Sequence, residues 1–336
     1  MDVRLVSETF NVRMSCLRTT GPNGYTLIYM NASSPELRIG TRGSPLALVQ
    51  AHDVRDRLLA LHDGLDVEIV KISTTGDQVQ DRRLSEVGGK GLFTKEIQEA
   101  LIDGRIDLAV HSMKDVETWL PDETAIAVVL EREDPRDVFL SPRADTLDNL
   151  PAGAAIGTSS LRRQAQILHR RPELRVETLR GNVQTRLRKL EEGVVDATLL
   201  ALAGLKRLGN EGVAQSVIEV DVILPAVAQG VIALEIRRDD ARVRDLIAPL
   251  NHAETETRVA AERAMLAALD GSCHTPIAGL AELSPDGRIV LTGLVAMPDG
   301  SQLHKMTEQA SPSDAGRLGT TLGQALRARM PAEYFS

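Results

Sequence analysis

Basic residues are concentrated in one segment of a chain that is acidic as a whole. The sequence has 39 Lys and Arg against 47 Asp and Glu, a formal net charge of −8. Residues 158–190 contain nine basic and two acidic residues, a local net charge of +7. A basic segment within an acidic protein indicates that this segment binds an anionic ligand.

Arg162 and Arg163 are the strongest candidates in this segment. They fall in the first turn of a predicted helix, directly after the hydroxyl residues 158–160. Hydroxyls, free N–H groups and guanidiniums at one helix start form an anion site. Cations there oppose the helix dipole, so ligand binding explains them better than stability does. Arg180 and Arg186 flank the start of the next helix, around Asn182, in a similar way. Solvated helix faces account for four others: Arg170, Arg171, Arg188 and Lys189.

The segment HSMKDV (111–116) directly follows a predicted buried strand. Residues at the carboxyl end of such a strand face the ligand crevice of an open α/β sheet. His111, Ser112, Lys114 and Asp115 therefore place a carboxylate beside potential cations. The alternative is an exposed polar turn without a function.

Cys273 lies in the polar segment GSCHTP (271–276), between a predicted helix and a predicted strand. Most free cysteines are buried and inert, but a Gly- and Ser-containing loop makes a thiol accessible for reaction. A metal site or a nucleophile pair with His274 is unsupported, because no second Cys or His lies at ligand spacing. We therefore expect no metal. Cys16 lies in an irregular segment and is expected to have no role.

The glycine-rich turn GGKG (88–91) is not a nucleotide-binding loop. A Walker A motif needs a glycine at position 84 and Ser or Thr after Lys90, and this sequence has neither. The turn either only reverses the chain or places Lys90 as a donor over a cleft.

Short strand-like runs alternate with helical patterns from Leu37 onward, which predicts parallel α/β architecture. The first series has a strand at 67–72, a helix at 92–102 and a strand at 106–110. The second has strands at 154–157, 175–179 and 195–200, with helices at 161–169 and 183–192. The segments DGRIDLAV (103–110) and EGVVDATL (192–199) resemble each other, which indicates either two similar lobes around a cleft or a chance match between helix-to-strand turns.

The predicted domains follow from this pattern. Residues 37–132 and 230–250 form a first α/β lobe, because the apolar run 231–236 returns the chain to it. Residues 133–229 form a second lobe. Residues 251–336 form a small α+β domain with helices at 254–269 and near 312–329, carrying Cys273. Residues 1–36 show no periodicity. We expect them to be a disordered extension, or the true start of the protein to be Met14 or Met30.

Composition excludes several classes of function. No apolar run reaches the ~18 residues of a membrane span. The net charge of −8 and pI near 5.5 argue against binding to nucleic acids or anionic membranes. Aromatic residues are only 2%, too few for a base-stacking platform. Two isolated cysteines and no secretory signal predict a cytoplasmic protein.

Ten ordered motifs resemble the porphobilinogen deaminase family over residues 37–330. They are TRGSPLAL, VGGKGLFTKEI, AVHSMKDV, EREDPRDVF, GTSSLRRQ, LRGNVQTRL, AGLKRLG, LPAVAQG, AERAML and GSCHTPI. The resemblance implies two α/β lobes of the type II periplasmic-binding-protein kind and a third domain bearing a cofactor cysteine. Ser272 departs from the Gly-Gly-Cys that is frequent in the family, which is costly if that position needs a positive φ.

The resemblance also implies roles for individual residues. Cys273 holds a dipyrromethane cofactor through a thioether, and Asp115 is the catalytic carboxylate. Acetate and propionate groups are bound by Arg42, Ser44, Lys114, Arg162, Arg163, Arg180, Arg186 and Arg207. Lys90 and Phe93 belong to a flexible loop over the cleft. The cleft is lined by Gln50, Thr158, Ser159, Ser160, Asn182 and Gln229.

The implied activity is that of hydroxymethylbilane synthase, a transferase of tetrapyrrole biosynthesis. Four porphobilinogens condense stepwise on the dipyrromethane with loss of ammonia, and hydrolysis releases a linear tetrapyrrole. A monomer that passes its product to uroporphyrinogen-III synthase is expected. The main alternative is a noncatalytic anion-binding module, which explains the arginines but neither Cys273 nor Asp115. A nucleic-acid binder is a weaker alternative.

Overall fold

Apolar runs of the sequence become the strands of the fold. The computed structural model describes residues 36–78, 91–269, 275–331 and 334. The predictions for residues 1–35, Lys90 and Cys273 lie outside these residues. In the described part, the strands are β1 (Leu37–Arg42), β2 (Val67–Ile72), β3 (Leu108–Ser112), β4 (Thr124–Val129), β5 (Asp137–Leu140), β6 (Ala155–Gly157), β7 (Arg175–Glu177), β8 (Ala197–Ala201), β9 (Ser216–Ile218), β10 (Ile232–Arg237), β11 (Ile277–Leu283), β12 (Ile289–Ala296) and β13 (Leu303–Ala310).

The predicted helices are confirmed to within about three residues at each end. Those in the described part are α1 (Pro45–Leu61), α2 (Thr75–Gln78), α3 (Lys95–Ile102), α4 (Leu161–Arg170), α5 (Val183–Glu191), α6 (Leu202–Arg207), α7 (Ala241–Ile247), α8 (Ala253–Ala268) and α9 (Ala315–Arg327). Helix α3 starts later than predicted because Gly91 opens a turn at φ +74°. The Gly91 carbonyl accepts the N–H groups of Thr94 and Lys95.

Two five-stranded sheets of mixed direction define two lobes. The first lobe has the strand order β2-β1-β3-β10-β4, and the second lobe has the order β7-β6-β8-β5-β9. Strand β10 runs antiparallel to β3 and β4, and β5 runs antiparallel to β8 and β9. The predicted parallel architecture is therefore wrong for these strands, because apolar composition does not determine strand direction. Strand β10 lies between β3 and β4 in the first sheet.

The C-terminal domain is a three-stranded antiparallel sheet, β11-β12-β13, on which α8 and α9 pack. The two helices approach closely because Gly319 has no side chain. A Cβ at this position would lie only 2.1 Å from the carbonyl oxygen of Ala261. The domain also contacts the second lobe. Gln164 of α4 donates to the carbonyl of Pro298 at 3.0 Å, and His169 contacts the carbonyl of Gly300 at 2.9 Å.

A buried carboxylate, Glu262 on α8, joins the C-terminal domain to the rest of the protein. It pairs with Arg132 at 2.5 Å and accepts the backbone N–H groups of Ala228 and Ala281. A buried charge is tolerated only when it is paired and hydrogen-bonded in this way. Ala228 has a φ of +57°, so the contact holds the segment between β9 and β10 in a conformation that non-glycine residues rarely adopt.

Candidate functional site

A cleft of about 900 Å³ lies between the two lobes, with part of its wall formed by the C-terminal domain. It opens at the carboxyl ends of β1, β3 and β8, where ligands bind in open α/β sheets. Most of the predicted site residues line it, namely Arg42, Ser44, Gln50, Phe93, Lys114, Asp115, Ser159, Ser160, Arg162, Arg163, Arg180, Asn182, Arg186, Arg207 and Gln229. The structure therefore brings together residues that are up to 187 positions apart in the sequence.

Asp115 ends a short 3-10 turn, Met113–Asp115, that directly continues β3. The turn is fixed because Met113 is buried and its N–H donates to the carbonyl of Val231 at 2.9 Å. Asp115 is half-buried at the cleft wall. Its charge interacts favourably with Lys114 and Arg186. The carboxylate thus lies in a cationic environment, as the sequence predicted.

Lys114 connects the two lobes across the cleft. Its ammonium donates to Oε1 of Gln229 at 3.1 Å, and Nε2 of Gln229 donates to Asp137 at 2.8 Å. Desolvation lowers the pKa of Lys114 to about 8, with Asp115 opposing this shift and Arg163 adding to it. The side chain is nevertheless exposed to the water of the cleft, so its charge is available to a ligand.

Arg162 and Arg163 share one buried carboxylate, Asp137 of β5. Nη2 of Arg162 and Nη2 of Arg163 each lie 2.8 Å from an oxygen of Asp137, and Nε of Arg163 donates at 3.0 Å. Burial alone would raise the pKa of Asp137, but the two guanidiniums outweigh it and hold that pKa well below its usual range. From the sequence, a ligand is the expected partner of these arginines. The structure adds a structural partner for both.

Two further predicted cations, Arg186 and Arg207, are positioned by hydrogen bonds to backbone carbonyls. Nε of Arg186 donates to the carbonyl of Gly181 at 2.9 Å, and Asn182 caps α5 through the N–H of Thr185 at 2.9 Å. Nη2 of Arg207 donates to the carbonyl of Gly230 at 2.6 Å. Desolvation lowers the pKa of Arg186 to about 10. Both arginines stay charged at neutral pH.

On the first-lobe side, Arg42 and Phe93 form a cation–π pair, with the guanidinium carbon 4.3 Å from the ring centroid. Ser44 caps α1 by accepting the N–H of Ala47 at 3.3 Å. Gln50 is buried, with Nε2 3.0 Å from the hydroxyl of Ser112. These contacts fix the wall that faces the arginines of the second lobe.

Four of the predicted residues are not among the described residues that line the cleft. Thr158 is buried behind the cleft wall, where its hydroxyl accepts the N–H of Ser160 at 3.1 Å. His111 contacts Glu235 at 2.9 Å in a buried network away from the cleft. Lys90 and Cys273 lie outside the described residues, so their roles stay predictions.

Asp137 and Arg263 were not predicted as site residues, although they lie in the motifs EREDPRDVF and AERAML. Arg263 of α8 lines the cleft and donates to backbone carbonyls of the segment after Asp115. A signal for Asp137 existed, because two arginines in one buried helical turn require a carboxylate. The pairing partner could not be chosen among 47 acidic residues from the sequence.

The cleft fits a ligand that carries several carboxylates. Guanidiniums bind carboxylates in bidentate geometry, and here they line one wall opposite Asp115. Thr275 and Ile277 also line the cleft, and Thr275 is the second residue after Cys273 in the sequence. The fold and cleft define a two-lobed α/β protein in which arginines and a lysine surround a half-buried carboxylate.

Comparison with known proteins identifies the family. The family model "Porphobilinogen deaminase, dipyromethane cofactor binding domain" matches residues 37–245, and "Porphobilinogen deaminase, C-terminal domain" matches residues 256–328. A porphobilinogen deaminase of Nitrobacter winogradskyi is 54% identical over 300 residues, covering 89% of this chain and 95% of the relative. The chloroplastic enzyme of Pisum sativum is 53% identical over 307 residues, covering 89% and 83%. The chain belongs to the porphobilinogen deaminase family.

Among solved structures, the methionine-binding protein MetQ is similar with a TM-score of 0.43 and 14% identity, over 68% of this chain and 94% of that one. The family assignment depends on the sequence matches. In the part of the chain that the structure describes, none of the helices combines the length and apolarity required to cross a membrane.

Proposed function

We propose that the protein is a hydroxymethylbilane synthase, which condenses four porphobilinogens with loss of ammonia and releases a linear tetrapyrrole by hydrolysis. The observation that carries this proposal is the carboxylate of Asp115 in a cleft walled by arginines. A transferase of this kind must hold a chain that gains two carboxylates with each added unit, and the cationic cleft meets that requirement.

The cofactor of this family is dipyrromethane, named in the description of the domain that matches residues 37–245. We propose Cys273 as its attachment site through a thioether, supported by the cleft-lining position of Thr275. When bound, the cofactor supplies a nucleophilic pyrrole carbon as the primer. Tethering the primer makes each addition effectively intramolecular, which lowers its entropic cost.

We assign the binding of acetate and propionate groups to the cations at the cleft wall. These are Arg42, Lys114, Arg162, Arg163, Arg180, Arg186 and Arg207, together with the hydroxyl of Ser44. Arg162 and Arg163 are oriented for this by Asp137. Because Asp137 balances one of their two charges, the pair keeps a net positive charge toward the cleft. Phe93 contributes by fixing the Arg42 guanidinium.

Asp115 is proposed to be the proton donor to the amine that leaves porphobilinogen. Its carboxyl group can deliver a proton to the leaving amine and then, as a carboxylate, stabilise the positive charge that develops on the pyrroles. Positioned proton transfer of this kind contributes about 10²- to 10⁴-fold to a rate. Lys114 beside it holds substrate carboxylates close to the reacting group.

The domain boundaries of the sequence analysis are retained as proposals: lobes at 37–132 with 230–250 and at 133–229, and the third domain at 251–336. The two sheets and the C-terminal sheet support these divisions. A cytoplasmic monomer that passes its product to uroporphyrinogen-III synthase is likewise proposed, because the open-chain product must be cyclised by a following enzyme.

Intact-mass measurement of the purified protein tests the proposal. The mass should exceed that of the polypeptide by one dipyrromethane, and peptide mapping should place the addition at Cys273. Cys273→Ala should lose the added mass, the colour with Ehrlich's reagent and tetrapyrrole synthesis, whereas the matched control Cys16→Ala should keep all three. An unmodified but fully active protein would refute the attachment, and a protein that binds anions without forming tetrapyrrole would support the noncatalytic alternative.

A further inference from the structure

Arg263 of the C-terminal domain forms hydrogen bonds with the backbone that directly follows the catalytic turn, Met113–Asp115. Its Nη1 donates to the carbonyl of Val116 at 3.2 Å, and its Nη2 donates to the carbonyls of Glu117 and Thr118 at 2.6 and 3.2 Å. One guanidinium therefore holds three consecutive carbonyls, beginning one residue after Asp115. A lysine ammonium lacks the planar fork needed for such a multiple contact.

Glu117 continues this chain of contacts into the first lobe. Its Oε1 accepts the backbone N–H of Gly91 at 2.7 Å. The turn that starts at Gly91 leads to Phe93, whose ring contacts the guanidinium of Arg42. The same turn is held from the other side, because the carbonyl of Leu92 accepts the N–H of Gly76 at 2.8 Å.

The location of Glu117 needs an explanation. Glu117 lines a cleft that is rich in arginines, and a second carboxylate there repels an anionic ligand. The hydrogen bond from Gly91 and the favourable charge interaction with Arg263 offset this cost. Because Arg263 holds the backbone after Asp115 and Glu117 links that backbone to Gly91, the two residues act on the geometry of the site.

We propose that Arg263 and Glu117 are positioning residues, which fix the turn of Asp115 relative to the Phe93 turn and thereby set the distance between the carboxylate and the Arg42 wall. This inference rests on the proposed function for its kinetic consequence. Its structural content, a contact chain from the C-terminal domain through the catalytic turn to Gly91, does not depend on that function.

The chain contains a natural reporter for this contact. Trp119 is its only tryptophan, follows Thr118 directly and is 67% exposed. In the full-length holoenzyme, Arg263→Lys should release the carbonyls, lower the fluorescence anisotropy of Trp119 and increase its quenching by acrylamide. Arg317→Gln, at an exposed arginine of α9, is the matched control and should leave the fluorescence unchanged.

Hydrogen exchange measures the second contact. Glu117→Ala should increase the exchange rate of the Gly91 amide, because its acceptor is lost. Glu117→Gln keeps an acceptor oxygen and should restore most of the protection. Glu123→Ala, which removes an exposed carboxylate six residues later, should leave the exchange at Gly91 unchanged.

Kinetics then separates positioning from general stability. A misplaced catalytic group costs up to about 100-fold, so kcat should fall about 10- to 100-fold in Arg263→Lys and in Glu117→Ala, with KM within about threefold. Glu117→Gln should recover most of kcat. Unchanged Trp119 fluorescence and Gly91 exchange in the variants would overturn the inference, and so would altered spectra with a normal kcat. If the wild type makes no tetrapyrrole, the proposed function fails, while fluorescence and exchange still decide the contact chain.

Discussion

The two lobes share one construction in detail. Strands β3 and β8 occupy the same place in their sheets, and each follows an acid-Gly turn with a positive φ, at Gly104 and Gly193. Asp107 accepts the backbone N–H of Arg38 in β1 at 3.0 Å, and Asp196 accepts the N–H of Ala155 in β6 at 2.8 Å. The two similar sequence segments therefore occupy equivalent positions in the two lobes and make equivalent contacts.

The lobes differ in the segments that extend from the carboxyl ends of their strands. Strand β3 continues into the turn of Asp115, whereas β8 continues into α6, which ends at Arg207. The helix after β1 starts with Pro45, Leu46 and Ala47, but the helix after β6 starts with Leu161, Arg162 and Arg163.

The partner strands differ at the same place. Asp137 of β5 pairs with Ala201, the last residue of β8, and Ile232 of β10 pairs with Ser112, the last residue of β3. A carboxylate in one lobe therefore takes the position of an aliphatic side chain in the other. The same scaffold presents a carboxylate from one side and cations from the other, so the lobes differ in the residues at their strand ends and not in their fold.

The largest effect is expected when the first lobe loses its carboxylate. Asp115→Asn keeps the shape of the side chain but removes its charge and its proton, so kcat should fall about 10²- to 10⁴-fold. The variant should fold and carry the cofactor, as circular dichroism and intact mass would show. A near-normal kcat would show that the carboxylate at the end of the first-lobe strand is not needed for catalysis.

The next effect concerns stability and the second lobe. Asp137→Asn leaves two buried guanidiniums without their counter-charge, and breaking such a pair costs about 3–5 kcal/mol. Ile232→Val at the equivalent position of the first lobe should cost only about 0.5–1.5 kcal/mol. Urea unfolding at neutral pH measures both. Equal losses in the two variants would show that the ion pairs of Asp137 do not stabilise the second lobe.

The same pair predicts a pH dependence with a definite sign. The pKa of Asp137 is lower in the folded protein than in the unfolded chain, so its stabilising contribution is present above the unfolded pKa of about 3.9. It is lost as the pH falls further through the folded value. The difference in stability between wild type and Asp137→Asn should therefore narrow progressively below about pH 4.

A smaller effect is expected from the titration of Lys114, the first-lobe cation. With a pKa of about 8, its charge is lost on the alkaline side, so kcat/KM should decline above about pH 8. Lys114→Arg keeps a charge at every accessible pH and should move that decline to higher pH. If kcat/KM declined at the same alkaline pH in the wild type and in Lys114→Arg, a group other than Lys114 would be responsible for the decline.

Local sequence patterns predicted the helices, most strands and the cationic cleft, because these depend on periodicity and on residues at strand ends. They could not predict the antiparallel direction of β5 and β10, since a buried apolar run is the same in both directions. Asp137 was missed because its role comes from its ion pair with Arg162 of helix α4, which is 25 positions away in the sequence. The sequence also favoured ligand binding over a stabilising role for Arg162 and Arg163. Because Arg162 pairs with the buried Asp137, Arg162→Leu should destabilise the protein.

The smallest effect is expected at Arg188, on the solvent side of the helix that carries Arg186. Arg188 is 60% exposed and pairs with Glu192 one turn later at 2.6 Å, and such exposed pairs contribute only about 0.3–0.5 kcal/mol. Arg186 lies in the cleft two residues earlier, where a charge-assisted hydrogen bond to a ligand carboxylate contributes about 1.5–3 kcal/mol. Steady-state kinetics should therefore show KM for porphobilinogen raised by about 10- to 100-fold in Arg186→Ala and unchanged in Arg188→Ala. A similar rise in both variants would indicate a diffuse electrostatic effect of the whole basic segment, and the distinction between cleft arginines and surface arginines would then be wrong.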